Sequence, residues 1–204
     1  MKYLYKQHTK EIEINKSRFI AVIIPIEHSE QINTLLKQLK IDYPKANHYC
    51  YGYVLNETAG SSDDGEPAGT AGIPILEILK VNHLQNVLGV VIRYFGGIML
   101  GAGGLIRAYS SSMADCISEI DTFYTKILSQ VFAVTLSYSI INTIEKNLEN
   151  LGVILYKEYG VNVELKIAVN NENIILLNEY QHLFLDIVDL GPTLIDQPLP
   201  SKKA

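Results

Sequence analysis

Two stretches of the chain, residues 19–26 and 87–94, are nearly unbroken runs of apolar residues, many of them β-branched. Such side chains favour extended backbone, and a run without polar alternation reads as a strand buried in a core. The rest of the first half must therefore supply elements that cover these strands. Residues 11–14 and 48–55 alternate polar and apolar, as half-buried strands do. Ser29 can open a helix carrying Ile32, Leu35, Leu36 and Leu39 at helical spacing, and Tyr43-Pro44 ends it. Residues 56–72 turn to Gly, Ser, Asp, Glu, Thr and Pro and read as one long loop. Pro74 suits the first turn of a helix that stops near Asn82. Residues 95–104 form a glycine-rich turn, and residues 105–117 a helix with Leu105, Ala108, Tyr109 and Ser112 on one face.

The second half gives a strand at 130–137, a helix at 140–151, strands at 153–159 and 161–169, a helix at 174–184 and a strand at 185–190. That β-α-β-β-α-β order is the split arrangement of ferredoxin-like folds. The tail after Pro192, with Pro198 and Pro200, is expected to be loose. The expected fold class is α+β with two domains, residues 1–125 and 131–194, joined near residues 122–131.

Composition narrows what such a protein does. No apolar run approaches the roughly 18 residues of a membrane span, and the opening residues lack the apolar core of a signal peptide. A cytoplasmic protein with no membrane partner is expected. Cys50 and Cys116 form no CxxC pair and read as free thiols. The net charge is −5. Residues 1–130 carry 12 Lys+Arg against 13 Asp+Glu, so no general basic surplus advertises nucleic-acid binding. Any RNA contact has to come from a local patch.

Two glycine-rich segments concentrate the chemistry. In the first, Asp63, Asp64 and Glu66 put three carboxylates within four positions, beside Gly65, Gly69 and Thr70. Their repulsion has to be offset by a cation, a basic partner or backbone N–H groups. One reading makes Asp63, Asp64 and Glu66 oxygen ligands of Mg²⁺; the plainer one has them tie the loop through its own backbone. Thr70 and the N–H groups before Pro74 stand at a helix N-terminus, where anions are favoured. In the second segment, Gly96, Gly97, Gly101, Gly103 and Gly104 follow a buried strand and open a helix, a common place for a phosphate. It is neither a P-loop nor a GxGxxG turn, since no GK[ST] follows and Ile106 stands where the third glycine should be. Arg93 and Arg107 flank it with Tyr94 and Tyr109 nearby, a pairing that suits phosphate and base, or ion pairs to the carboxylate loop. On the strand at 48–55, His48 and Cys50 share one face and Tyr49, Tyr51 and Tyr53 the other, which favours packing over a His/Cys nucleophile. Ser110, Ser111 and Ser112 lie in a helix without a GxSxG elbow, and no catalytic residue is assigned.

These residues resemble the YigZ/IMPACT family. The resemblance is carried by Lys16-Ser17-Arg18-Phe19-Ile20, Ala46-Asn47-His48-Tyr49-Cys50-Tyr51-Gly52-Tyr53, the signature at residues 62–74, and the run from Val91 through Arg93-Tyr94-Phe95-Gly96-Gly97 to Tyr109. It implies a first domain shaped like a small-subunit ribosomal protein and domain IV of elongation factor G. The second domain would resemble the ferredoxin-like C-terminal domains of that factor. It also implies a role in translation: eukaryotic members act in translational control, and nucleic-acid or ribosome binding has been inferred for bacterial ones. Three readings follow. The first is a binding protein for RNA, the ribosome or a translation factor, with Lys16, Arg18, Arg93 and Arg107 on phosphate and His48, Tyr49 and the glycine loops shaping the site. The second is a Mg²⁺-assisted enzyme on a phosphorylated or nucleotide substrate. The third is a scaffold whose signature loops hold the first domain together.

Overall fold

The computed structural model describes residues 1–56 and 58–199. The chain divides into two compact units, Met1–Thr125, rejoined by Pro198 and Leu199, and Lys126–Gln197. The first unit contains β1 (His8–Ile14), β2 (Ser17–Pro25), α1 (Glu30–Asp42), β3 (His48–Leu55), β4 (Thr58–Ser62), α2 (Gly72–Val81), β5 (Val87–Tyr94) and α3 (Gly101–Ser118). Its strands form one antiparallel sheet in the order β1-β2-β5-β3-β4. Asn15 and Lys16, at φ 47° and 63°, make the two-residue turn of the β1–β2 hairpin, and positive φ at both positions matches the type I′ geometry that a twisted hairpin favours.

The two apolar runs are β2 and β5, side by side in the sheet. Successive side chains on a strand point to opposite faces. Phe19, Ala21, Ile23, Val87 and Val91 pack with Ile75 and Leu79 of α2 and with Leu105 and Met113 of α3. Ile20, Val22, Ile24, Leu88, Val90 and Ile92 pack with Ile32 and Leu39 of α1. Helices on both faces are why neither strand alternates with polar residues. Each buried Val, Ile or Leu contributes about 1.5–3 kcal/mol, so this double layer is the main source of the unit's stability.

The second unit is built from β6 (Tyr124–Leu136), α4 (Tyr138–Leu151), β7 (Gly152–Tyr159), β8 (Val163–Val169), α5 (Ile174–Glu179), a 3-10 turn at Gln181–Leu183, and β9 (Asp186–Pro198). The sheet order β7-β8-β6-β9 is that of the split β-α-β-β-α-β fold. Ile141, Ile144, Leu148 and Leu177 of its helices pack on Leu136, Leu165 and Ile167 of its sheet. Among the described residues, no helix is long and apolar enough to cross a membrane.

Four expectations are corrected. The loop expected at 56–72 contains β4, whose small polar residues lack strand character; pairing with β3 imposes it, and the Tyr53 ring lies over Gly60. Helix α3 begins at Gly101, so Gly101, Gly103 and Gly104 form its first turn: packing of Leu105, Ala108 and Tyr109 outweighs glycine's poor helix propensity. The helix expected at 174–184 divides into α5 and the 3-10 turn. The tail expected to be loose after Pro192 continues as β9 to Pro198, because Ile195 is buried with Val131 and Ala168 and proline is tolerated on an edge strand. Pro200, part of the same expectation, lies outside the described residues.

Candidate functional site

The site is built at one end of the first sheet. Register sets Arg93 of β5 opposite Phe19 of β2 on one side and His48 of β3 on the other, so these three side chains share the face that α2 and α3 cover. The acidic loop after β4 folds over this row. Glu66 accepts hydrogen bonds at Oε1 from Arg93 Nη1 (2.6 Å) and from the Tyr109 hydroxyl (2.8 Å), with His48 Nε2 at 3.9 Å. The ion pair is deeply buried, the Arg93 and Glu66 side chains being 6% and 4% exposed. The Arg93 guanidinium lies over the rings of Phe19 and Phe95, 5.4 and 5.5 Å from their centroids. Its Nε–H is buried without a hydrogen-bond partner among the described residues.

The other two carboxylates serve the backbone. Asp63 accepts from the N–H groups of Gly69 (2.8 Å), Ala71 (2.9 Å) and Gly72 (2.8 Å), capping α2. Burial works to raise its pKa, but these three donors prevail and hold the carboxyl below the ordinary aspartate value of 3.8. Asp64 accepts from the Tyr49 N–H at 2.7 Å, and its carbonyl accepts from His48 Nδ1 at 2.8 Å. A carbonyl can only accept, so Nδ1 carries the proton and, in the neutral ring, Nε2 offers a lone pair. Thr70 closes the loop by donating to the Pro67 carbonyl at 2.7 Å. Asp63, Asp64 and Glu66, the candidate Mg²⁺ ligands, are thus held by three separate sets of protein donors. Among the described residues no group of three or more His, Cys, Asp or Glu is placed to hold a metal ion.

Cys50 and Tyr109 lie beneath this network. Burial pushes the Cys50 thiol up to about 12, with the hydrogen bond to Tyr109 only partly offsetting it. Burial likewise raises the Tyr109 hydroxyl far above its usual range, helped by Cys50 and Glu66. Neither is a nucleophile near neutral pH. Tyr109 is the site residue that spacing understated: it falls on the buried face of α3, where a hydroxyl needs a partner, and that requirement was the available signal.

The four expected phosphate contacts do not form one cluster. Arg93 is buried as described. Arg18 is on the opposite face, bonded to Glu11 through Nε (2.8 Å) and Nη2 (2.9 Å) and lying over the Tyr94 ring. The Tyr94 hydroxyl donates to the Pro44 carbonyl. Tyr49 also faces α1, donating to the Tyr43 carbonyl at 2.6 Å. Lys16 and Arg107 remain exposed, and no hydrogen-bond or ion-pair partner holds either side chain among the described residues.

Between the network and α3 lies a cleft of about 460 Å³, lined by His48, Glu66, Arg93, Phe95, Met99 and the helix start at Gly101 and Ala102. Gly96 is wedged against the backbone of the β1–β2 turn, where a Cβ would collide with the Lys16 carbonyl. Gly97 and Gly101 have φ of +85° and +66°, which lets the chain leave β5 and enter α3 within a few residues. The N-terminus of α3 is open: Leu100 at the cap supplies no side-chain acceptor and the first turn has no acidic residue. Arg107 Nη1 lies 3.6 Å from where a Gly103 Cβ would stand. A neighbouring groove of about 590 Å³ is lined by Asn15, Gly104 and Arg107, among others, and so sets the β1–β2 turn beside α3.

Fold and site together define a two-unit α+β protein whose first unit presents a glycine-framed cleft over a buried ion pair. Residues 15–117 match the family model described as the Impact N-terminal domain. The chain belongs to the IMPACT family. It is 36% identical over 174 residues to the IMPACT family member YvyE of Bacillus subtilis, covering 83% of this chain and 80% of that one. It is 33% identical over 163 residues to the IMPACT family member YigZ of Escherichia coli, covering 77% and 79%. A crystal structure described only as that of a hypothetical protein aligns with 97% of this chain and 95% of its own at 28% identity, with a TM-score of 0.57.

Proposed function

We propose that this protein is an RNA-binding factor of the translation apparatus, meeting its RNA on the ribosome through the lip of the cleft. The observation that carries this reading is the open N-terminus of α3 with Arg107 beside it. Helix N-termini favour phosphate through unpaired N–H groups and the helix dipole, and an arginine with no carboxylate partner among the described residues adds a cation free to reach it. Lys16, next to Asn15 in the β1–β2 turn, adds a second exposed cation to the same unit, and the half-exposed Phe95 ring offers a base a stacking surface. The signature carboxylates do not oppose an incoming phosphate strongly, because Asp63, Asp64 and Glu66 are each engaged by protein donors. Membership of the IMPACT family supports a partner in translation. The signature loop's share in this function is architectural: it builds the floor and fixes the start of α2.

The test is sedimentation of lysate through a sucrose gradient at low and moderate salt. Wild-type protein migrates with ribosomal particles at low salt and leaves them as salt rises. Arg107→Glu combined with Lys16→Glu, both at exposed positions, releases it at low salt. Co-migration unaffected by the double substitution would refute the reading, and migration with a smaller protein complex would point to a translation factor instead.

A further inference from the structure

We infer that β9 is a docking edge for an extended, lysine- or arginine-bearing segment of a partner protein, which joins the second sheet as a further strand. The order β7-β8-β6-β9 leaves β9 at the border of that sheet, so among the described residues one row of its backbone N–H and C=O groups is unpaired. The strand runs for 13 residues, of which only Ile195 is buried. Val188, Leu190 and Leu194 are 47%, 50% and 61% exposed. A long edge carrying large apolar side chains is a template for another strand.

The apolar side chains of this edge continue a strip on the face that the helices leave open. Ile187 packs into the helix-covered core, so Val188 lies on the other face of the sheet. Ile195 is buried with Val131 and Ala168 on that open face, since the neighbours Ile167 and Val169 point to the helices. In an unbroken strand residues 187 and 195 would share a face, so the alternation reverses between them. Gly191, with φ of +90°, allows that reversal as a bulge, and its N–H is held by Asp189 Oδ1 at 2.8 Å. Val188 and Leu190 thereby join the face of Ile195, Val131 and Ala168, which Val153 opposite Ala168 extends onto β7.

Charge decides which kind of strand fits. The second unit carries 4 lysines against 9 Asp and Glu, and so holds the whole of the chain's net charge of −5. Asp186, Asp189 and Asp196 stand exposed on β9, and only Lys126 puts a cation on the strand beside them. Asp186 and Asp189 each use one oxygen, Oδ1, on nearby N–H groups, and Asp196 has no partner among the described residues. A second copy would set two acidic edges together, and a phosphate backbone meets the same repulsion, whereas opposite charges facing each other across two strands are stabilising. The other border strand, β7, carries one cation and one anion and a register shift after Ile154, so it offers neither a regular edge nor a preferred charge.

The experiment is fluorescence anisotropy of labelled heptapeptides with the full chain. One peptide alternates lysine and valine, one glutamate and valine, and one lysine and serine. The lysine–valine peptide binds, less tightly as salt rises, and the others bind at least about tenfold more weakly, one lacking the charge and the other the apolar contacts. Val188→Lys combined with Leu190→Lys is the deciding variant. Both positions are half-exposed, so the fold is kept, and the new cations should lower the affinity for the lysine–valine peptide roughly tenfold or more. Leu155→Lys, on β7, should leave it unchanged. If the double variant unfolds, hydrogen exchange of the wild type decides instead: bound peptide slows the amides of β9 and leaves those of β7 as they were. Equal binding of the lysine and glutamate peptides, unchanged affinity in the folded double variant, or protection on β7 would each overturn the inference. So would a concentration-dependent dimer abolished by the double substitution, which assigns the edge to a second copy. These readouts involve neither Lys16 nor Arg107, so the RNA reading stands or falls separately.

Discussion

Replacing Asp63 with Asn tests whether the acidic signature is architecture. Asp63 receives three backbone N–H groups at 2.8–2.9 Å, and all three come from the segment that opens α2. Hydrogen bonds to a charged acceptor contribute about 1.5–3 kcal/mol each when buried. Asp63 is only partly buried, so water recovers much of what the freed amides lose, and an Asn carbonyl still accepts from one or two of them. A net loss of ~3 kcal/mol at neutral pH follows, which for a domain of this size lowers the melting temperature by about 12 °C. The pH dependence has a definite sign. The donors depress the folded-state pKa of Asp63 below 3.8 against the opposing effect of burial, so its contribution is complete above that value and disappears as pH falls through the lower, folded-state one. Thermal unfolding of wild type and Asp63→Asn, followed by calorimetry from neutral to acid pH, should give curves that converge well below pH 3.8. Amide exchange at Gly69, Ala71 and Gly72 should quicken in the variant while β5 stays protected. A neutral-pH loss under ~1 kcal/mol, the range of ordinary surface changes, would refute the capping role.

Three further outcomes are expected. Glu66→Ala leaves Arg93 charged and buried and should cost about 3–5 kcal/mol in urea unfolding, with Arg93→Met on top recovering part of it; additive losses would show that the pair is not coupled. Gly96→Ala forces a Cβ into the Lys16 carbonyl and should destabilise by ~3 kcal/mol or more, whereas Gly97→Ala, strained only by its φ of +85°, should cost about 1 kcal/mol, and equal losses would contradict the packing. Cys50 and Cys116, both buried and both pushed up to about 12 by burial, should resist thiol reagents at mildly alkaline pH until the chain unfolds; rapid labelling of the native protein would place them nearer the surface.

The central strands were legible because burial on both faces writes itself into every residue, as in the run from Phe19 to Ile24. The second unit was legible through alternation and spacing. β4 was not, since Thr58-Ala59-Gly60-Ser61-Ser62 becomes a strand only through its pairing with β3. At the site, composition located the two loops but not their orientation. Arg18 and Arg93 look alike in sequence, yet one follows the even-numbered face of the sheet and the other the odd-numbered face, so a shared phosphate role was excluded by strand parity once the register was known. That Glu66 would take the buried arginine while Asp63 capped a helix depended on a turn with positive φ at Asp64 and Gly65, which three carboxylates within four positions do not announce.

The place of β5 between β2 and β3 has a consequence for how the protein is made. The hairpins β1–β2 and β3–β4 are local and can form as soon as they leave the ribosome, but neither pairs with the other. Each waits for a strand synthesised last among the five. Until Tyr94 has emerged, the nascent chain carries two apolar edges with open hydrogen-bonding groups, the condition under which chains self-associate. A product truncated before residue 87 would hold that state permanently, whereas one ending just after β5 would close its sheet. The single strand that aligns His48, Phe19 and Arg93 is thus also the step that ends the nascent chain's exposure to aggregation.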